Sequence, residues 1–282
     1  MFLKKIILFC ISILIGLTGT INASANGNSQ DNYKIAIQKL YYSGLIVGYD
    51  DLDWFYRQFN VFIVRGEVAA LCSNILNLKK EYYEDCVFND CHEHWAKQYL
   101  NGLYEKNIIK GYSDGTFKPS DNISEYDAIV MLIRTLGYEE AAIENGGYPT
   151  GYFKTAENLG LLKNTKITTE ENNQLKYGEY FLLLINALET KMHGKEDWYL
   201  WDECGKNNRY IKVIAKADEI VKDKSNVNDE LVDYLKVTID EKEEKYQLFF
   251  EHDLSEFAGK NVIMWYSKDF NDTKYLIDII LP

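Results

Sequence analysis

The stretch FNDCHEHWAKQYLNGLYEKNIIKGYSDGTFKPSDNISEYDAIVMLIRTL, residues 88–136, decides the fold. It opens on Phe88-Asn89-Asp90 and His94-Trp95-Ala96. Ala96, Tyr99, Leu100 and Leu103 then recur at i, i+3, i+4 and i+7, which predicts a helix with one apolar stripe. Gly111-Tyr112-Ser113-Asp114-Gly115-Thr116-Phe117-Lys118-Pro119 follows. Its Asp114-Gly115 pair marks a tight turn, and Pro119 keeps a helix from starting early. Ser124, with Asp127 three residues on, is a capping-box signature opening a second helix. The unit is helix, loop, helix.

The same pattern recurs in register upstream and downstream. The acid that starts each second helix is Glu67, Asp127 or Glu179. At +1, +4, +5 and +9 from it stand Val68, Leu71, Cys72 and Leu76, then Ala128, Met131, Leu132 and Leu136, then Tyr180, Leu183, Leu184 and Leu188. Each set falls on one helical face. The first helices correspond as well: Ile37, Leu40 and Leu45-Ile46 answer Leu100, Leu103 and Ile108-Ile109, and Phe153, Ala156 and Leu161-Leu162 answer them again. No single unit can bury its apolar face, so the three should pack together.

Phe-x-Asp, His-Trp-Ala, Gly-Tyr-x-Asp-Gly-Thr-Phe-Lys-Pro and the acid-started helix together resemble an S-layer homology domain. The match is clearest over 88–136. It thins over 33–76, where Gly48-Tyr49-Asp50-Asp51 and Val64-Arg65-Gly66-Glu67 remain, and is weakest over 147–188. The resemblance implies three repeats in a pseudo-threefold bundle whose grooves bind secondary cell wall polysaccharide, often through a pyruvate ketal. The expected organisation is a divergent repeat at 31–78, the clearest at 84–138, a degenerate one at 139–190, a connector at 191–208 and a small β domain at 209–282.

A pyruvate ketal presents a carboxylate beside a sugar ring. The planar fork of Arg can donate two parallel hydrogen bonds to it. The resemblance assigns that task to the Arg of a Thr-Arg-Ala-Glu motif, which only Arg65 matches here. Glu125 and Tyr177 occupy the corresponding positions in the other repeats. Glu125 would repel a carboxylate and Tyr177 cannot ion-pair with one, so at most one groove keeps this chemistry. Trp95 and Lys118 are the further glycan-binding candidates. Each has a plainer alternative: Trp95 as a core residue, Lys118 as an exposed loop charge, Arg65 as a brace for the helix start.

Lys4 and Lys5, the apolar run from Ile6 to Leu17 and Ala23-Ser24-Ala25 read as a signal peptide over 1–25, which implies a secreted, cell-surface protein without a membrane span in the mature chain. Losing Lys4 and Lys5 with the leader takes the formal charge from -12 to -14. So acidic a chain lacks the clustered cations that nucleic acid needs. It would have to catch an acidic ligand with a few local cations in a pocket. Cys86 and Cys91 could pair if their loop bends, while Cys72 on an apolar face reads as a buried thiol. Cys86, Cys91, His92 and His94 lack metal-ligand spacing. No phosphate loop, nucleophile elbow or zinc helix motif is present. Neither an enzyme, a cofactor nor a metal is expected.

Beyond a polar stretch at 195–208, broken by Trp198 and Trp201, the period changes to alternation. Ile211, Val213 and Ala215, then Leu235, Val237 and Ile239, then Tyr246, Leu248 and Phe250, with 262–266 and 275–280, predict about five strands. Asp240 to Lys245 reads as a charged hairpin turn. The expected class is α+β, with an antiparallel barrel or sandwich after the helical repeats. The β domain is a structural cap or a docking site for other surface proteins. The alternative to wall binding is a surface scaffold whose repeats keep the fold without the glycan.

Overall fold

The computed structural model describes residues 29–46, 52–78, 85–168, 172–205, 210–225, 231–248, 254–268 and 273–282. The signal peptide expected at 1–25, Gly48-Tyr49-Asp50-Asp51 and Phe250 lie outside the described residues. The protein is α+β, a helical part followed by a closed five-stranded barrel.

The helices are α1 (Ser29–Tyr42), α2 (Leu52–Gln58), α3 (Arg65–Ile75), α4 (Lys97–Glu105), α5 (Glu125–Leu136), α6 (Glu139–Glu144), α7 (Thr150–Asn158), α8 (Tyr177–Leu188) and α9 (Leu200–Cys204). The twelve residues of the three aligned apolar sets on α3, α5 and α8 behave as the periodicity requires: eleven are buried and Leu76 packs partly buried against them. Ala96, Leu100 and Leu103 likewise form the buried stripe of α4. Ser124 Oγ accepts the Asp127 N–H at 3.2 Å, so the N-cap half of the expected capping box is present. The Asp127 carboxylate turns away from the cap to Arg65 instead.

Just before α3, α5 and α8 the chain closes a ring. Ile63 N–H donates to Leu175 O (3.0 Å), Leu175 N–H to Ile123 O (2.8 Å) and Ile123 N–H to Ile63 O (3.1 Å). All three side chains are buried. Each pre-helix segment thus satisfies its neighbour's backbone, which buried amides demand. The ring also fixes the start of each central helix against the next.

The barrel strands are β1 (Ile211–Lys224), β2 (Leu231–Ile239), β3 (Lys242–Gln247), β4 (Asn261–Lys268) and β5 (Lys274–Ile280), in the order β1-β2-β3-β5-β4. β1 pairs first with β4 and then, past an irregularity between Ala217 and Ile220, with β2. That bulge lets one long strand serve both halves. β3 closes on β5 in parallel, at Gln247 and Tyr275, so the barrel is not wholly antiparallel. The charged run at 240–245 is mostly strand: the turn is only Asp240-Glu241, both at positive φ, and β3 begins at Lys242. Two residues at φ > 0 make the tight hairpin whose twist matches its strands.

Alternation on β4 joins the two parts. Val262, Met264 and Tyr266 fill the barrel, while Ile263 and Trp265 reach the helical core with Ile277 of β5. The stretch expected as a polar connector contains α9, whose Trp201 is fully buried. Trp201 Nε1 donates to Asp278 Oδ2 (2.7 Å) and Trp265 Nε1 to Asp202 Oδ1 (2.8 Å). Lys39 of α1 pairs with both Asp278 and Glu189. Cys72, Cys86, Cys91 and Cys204 are buried free thiols. Among the described residues no helix is long and apolar enough to cross a membrane.

Candidate functional site

Arg65 is the first residue of α3 and is only 6% exposed. Its Nε donates to Phe117 O (2.9 Å) and its Nη1 to Asp127 Oδ2 (2.7 Å). The guanidinium lies 4.9 Å from the ring centroids of both Tyr112 and Phe117. A cation set over two aromatic rings, with a carboxylate and a carbonyl as hydrogen-bond partners, is fixed in orientation before any ligand arrives.

The partners are shaped by the Gly111–Pro119 loop. Asp114 Oδ1 accepts both the backbone N–H (3.0 Å) and the hydroxyl (2.6 Å) of Thr116, and Gly115 turns the chain at φ +81°. Asp90 reaches across to accept the N–H groups of Phe117 (2.9 Å) and Lys118 (2.7 Å). Partial burial alone would raise the Asp90 carboxyl, but these two donors outweigh it and hold it below its ordinary range. The Phe-x-Asp and Gly-Tyr-x-Asp-Gly motifs are therefore one structure, a loop pinned from two sides.

Beside Arg65 opens a cavity of about 190 Å³. Ile108, Ile109, Val130 and Met131 give it an apolar floor, and Tyr112 and Tyr148 add aromatic walls. Its charged lining is Arg65, Lys110, Arg134 and Asp127. Glu139 lies behind, accepting from Arg134 Nε (2.9 Å), Lys110 Nζ (3.1 Å) and the Tyr152 hydroxyl (2.9 Å). Burial pulls the Glu139 carboxyl up, yet these donors and cations leave it below its ordinary range. Counting Glu139, three cations face two carboxylates, a local positive excess in a chain of net charge -12.

Of the three glycan-binding candidates read from sequence, only Arg65 lines this cavity. Lys118 stands one layer back, with Nζ 4.5 Å over the Tyr112 ring, on backbone of φ +56°. Trp95 is not in the lining. It is 51% exposed, so it is not a core residue; it packs edge-on against Tyr99 and tilted against His94, which reaches Ser120 Oγ at 3.1 Å. The sequence reading missed Arg134 and Tyr148. The signal for Arg134 was its spacing: Asp127, Val130, Met131 and Arg134 fall at i, i+3, i+4 and i+7, one face of α5.

The position equivalent to Arg65 is used differently elsewhere. Tyr177 donates its hydroxyl to Glu67 Oε1 at 2.5 Å, replacing the Arg65–Asp127 ion pair with a neutral donor. Glu125 is buried at the start of α5. Neither supplies a cation.

Residues 87–128 match the family profile of the S-layer homology domain. The chain carries an S-layer homology domain. It is 29% identical over 198 residues to a cell surface protein of Thermoanaerobacter kivui, covering 69% of this chain and 24% of that protein. It is 26% identical over 208 residues to the middle cell wall protein of Brevibacillus brevis, covering 69% of this chain and 19% of the relative. An outer membrane protein SlpA of Thermus thermophilus is 39% identical over 103 residues, 36% of this chain and 11% of its own length. The chain thus spans about a quarter or less of these relatives. An exoglucanase of Acetivibrio thermocellus matches at 22% over 118 residues, 39% of this chain. The S-layer homology domain and the surface-protein relatives give a cell-wall or cell-surface location.

Proposed function

We propose that this protein attaches non-covalently to the bacterial cell wall by holding an acidic sugar of secondary cell wall polysaccharide in the cavity beside Arg65. The observation that carries this reading is the charge of that cavity: three cations against two carboxylates in a strongly acidic chain. A carboxylate would take the free edge of the Arg65 guanidinium. A pyruvate ketal suits the remainder, because its methyl group and sugar ring can lie on Ile108, Val130 and Met131 while its acid faces the cations. The cavity volume of about 190 Å³ matches one sugar residue better than a run of several.

The fold behind this reading is three repeats, 31–78, 84–138 and 139–190, about a pseudo-threefold axis. The cyclic hydrogen bonds of Ile63, Leu175 and Ile123 support that arrangement. Lys118 acts through Tyr112, and exposed Trp95 offers a stacking face for a sugar farther along the chain. The β domain, 209–282, is a rigid cap docked on the bundle, and the role is non-enzymatic.

The test is co-sedimentation of the mature full chain with purified wall polysaccharide, before and after chemical removal of pyruvate. Binding that falls with pyruvate removal and with Arg65→Ala supports the reading. Equal binding by the mutant removes Arg65 from it. Glu125 and Tyr177 favour a second reading, a surface scaffold whose other grooves have lost the glycan. No binding to wall polysaccharide, with capture of a defined surface-protein partner, would select it.

A further inference from the structure

Arg65 cannot be the whole of the anion receptor. Its Nε and Nη1 are committed to Phe117 O and Asp127, so Nη2 is the nitrogen left to face a ligand. Arg134 lines the same cavity and is braced in a similar way. Its Nε donates to Glu139 and its Nη1 reaches Ile108 O (3.4 Å), with the Tyr152 hydroxyl also beside the group. Its guanidinium also lies 5.7 Å from the Tyr152 ring centroid, and its side chain is 13% exposed. Two nearly buried guanidiniums, each braced through the same two nitrogens, therefore line one cavity. Asp127 answers the charge of Arg65, but the single carboxylate of Glu139 is shared between Arg134 and Lys110, so the cavity keeps a positive excess that an anion would relieve.

We infer that Arg134 is a second anion-binding residue, so that one compact carboxylate is gripped by two guanidiniums drawn from different helical units, Arg65 from α3 and Arg134 from α5. This deepens the acidic-sugar reading and rests on it. One carboxylate oxygen is met by each guanidinium, and the apolar floor takes the carbon that bears the acid. The specificity that follows is for a small carboxylate on a sugar. A neutral sugar leaves both guanidiniums unsatisfied, and a phosphate or sulfate is bulkier where the apolar floor must be covered.

The experiment is calorimetric titration of the full mature chain with a methyl glycoside bearing a 4,6-linked pyruvate ketal, and with the methyl ester of the same compound. For wild type the acid binds and the ester binds at least about tenfold more weakly. Arg134→Gln lowers affinity for the acid about tenfold or more and leaves the ester unchanged. Arg134→Lys, which keeps the charge and loses the fork, falls between the two. Loss of equal size on acid and ester, or undiminished binding of the acid by both variants, overturns the inference. Binding of the acid glycoside with no binding to wall polysaccharide overturns the anchoring reading and leaves the arginine pair standing. No binding of either compound by wild type overturns both.

Discussion

Arg65 Nη1 donates to Asp127 Oδ2 across 2.7 Å, tying the first turn of α3 to the first turn of α5. Ser124 Oγ accepts the Asp127 N–H, while the Asp127 carboxylate serves Arg65. Truncation to Ala strands a buried guanidinium beside Tyr112 and Phe117. Asp127→Ala should cost about 2–3 kcal/mol in urea unfolding, since the bond is charge-assisted and one partner is buried. In a double-mutant cycle with Arg65→Met, a coupling of about 1–3 kcal/mol is expected. Simple additivity would mean the two helices are not held through this pair.

At the other end of the bundle, Lys39 is the cation between Asp278 of β5 and Glu189 at the end of α8. Asp278 is fully buried and also accepts from Trp201 Nε1 and from Ile279 N–H (2.9 Å). Lys39→Met leaves a buried carboxylate without its counter-charge, at a cost of about 3–5 kcal/mol. Because the contact joins barrel to bundle, calorimetry should show one transition for wild type and two for the variant. A single transition at an unchanged midpoint would rule out Lys39 as the link.

The same cluster makes stability depend on pH. Burial, then the neighbouring charge of Asp278, push the Glu189 carboxyl up to about 7, with Lys39 opposing. Between its unfolded value near 4.5 and about 7, the folded protein holds a proton that the unfolded chain releases. Stability contributed by this group is therefore full below about 4.5 and is lost progressively as pH rises through 7. Glu189→Gln mimics the protonated form and should flatten the melting temperature between pH 5 and 8, raising it at pH 8. A wild-type profile that climbs over this window would contradict the assignment.

The helical core was legible because its apolar residues recur at fixed spacing, and spacing survives where motifs thin out: Tyr180, Leu183, Leu184 and Leu188 are all buried in the segment whose motif resemblance is weakest. Arg65 was legible from its motif. Arg134 and Tyr148 were not, because they meet Arg65 only once separate units have packed, and nothing local marks that meeting. Trp95 reads equally well as core or surface until the orientation of its helix start is known. The hairpin at Asp240 was legible but read too long, since a tight hairpin needs only two residues at positive φ and neither here is Gly. Helix α9 hid because it is only five residues long among polar neighbours, although Leu200, Trp201 and Cys204 are all buried.

Gly111 tests whether the motif loop shapes the cavity or only borders it. It sits at φ +69°, and a Cβ there would lie 2.3 Å from Phe88 Cε1 and 2.8 Å from Thr116 O. Phe88 cannot retreat, being buried against Phe117 and Tyr104 with centroids at 5.3 and 5.6 Å. Positive φ alone costs a non-glycine residue about 1–2 kcal/mol, and the clash adds to it. Gly44, at φ +72° with nothing within 4 Å of a Cβ, carries the backbone cost alone. Gly44→Ala should therefore lose about 1–2 kcal/mol and bind the pyruvylated glycoside as wild type does. Gly111→Ala should lose about 3 kcal/mol or more and also weaken binding, because relief of the clash moves Tyr112 and the carbonyl of Phe117 that orients Arg65. Equal effects of the two substitutions on ligand affinity would show that the loop only borders the site.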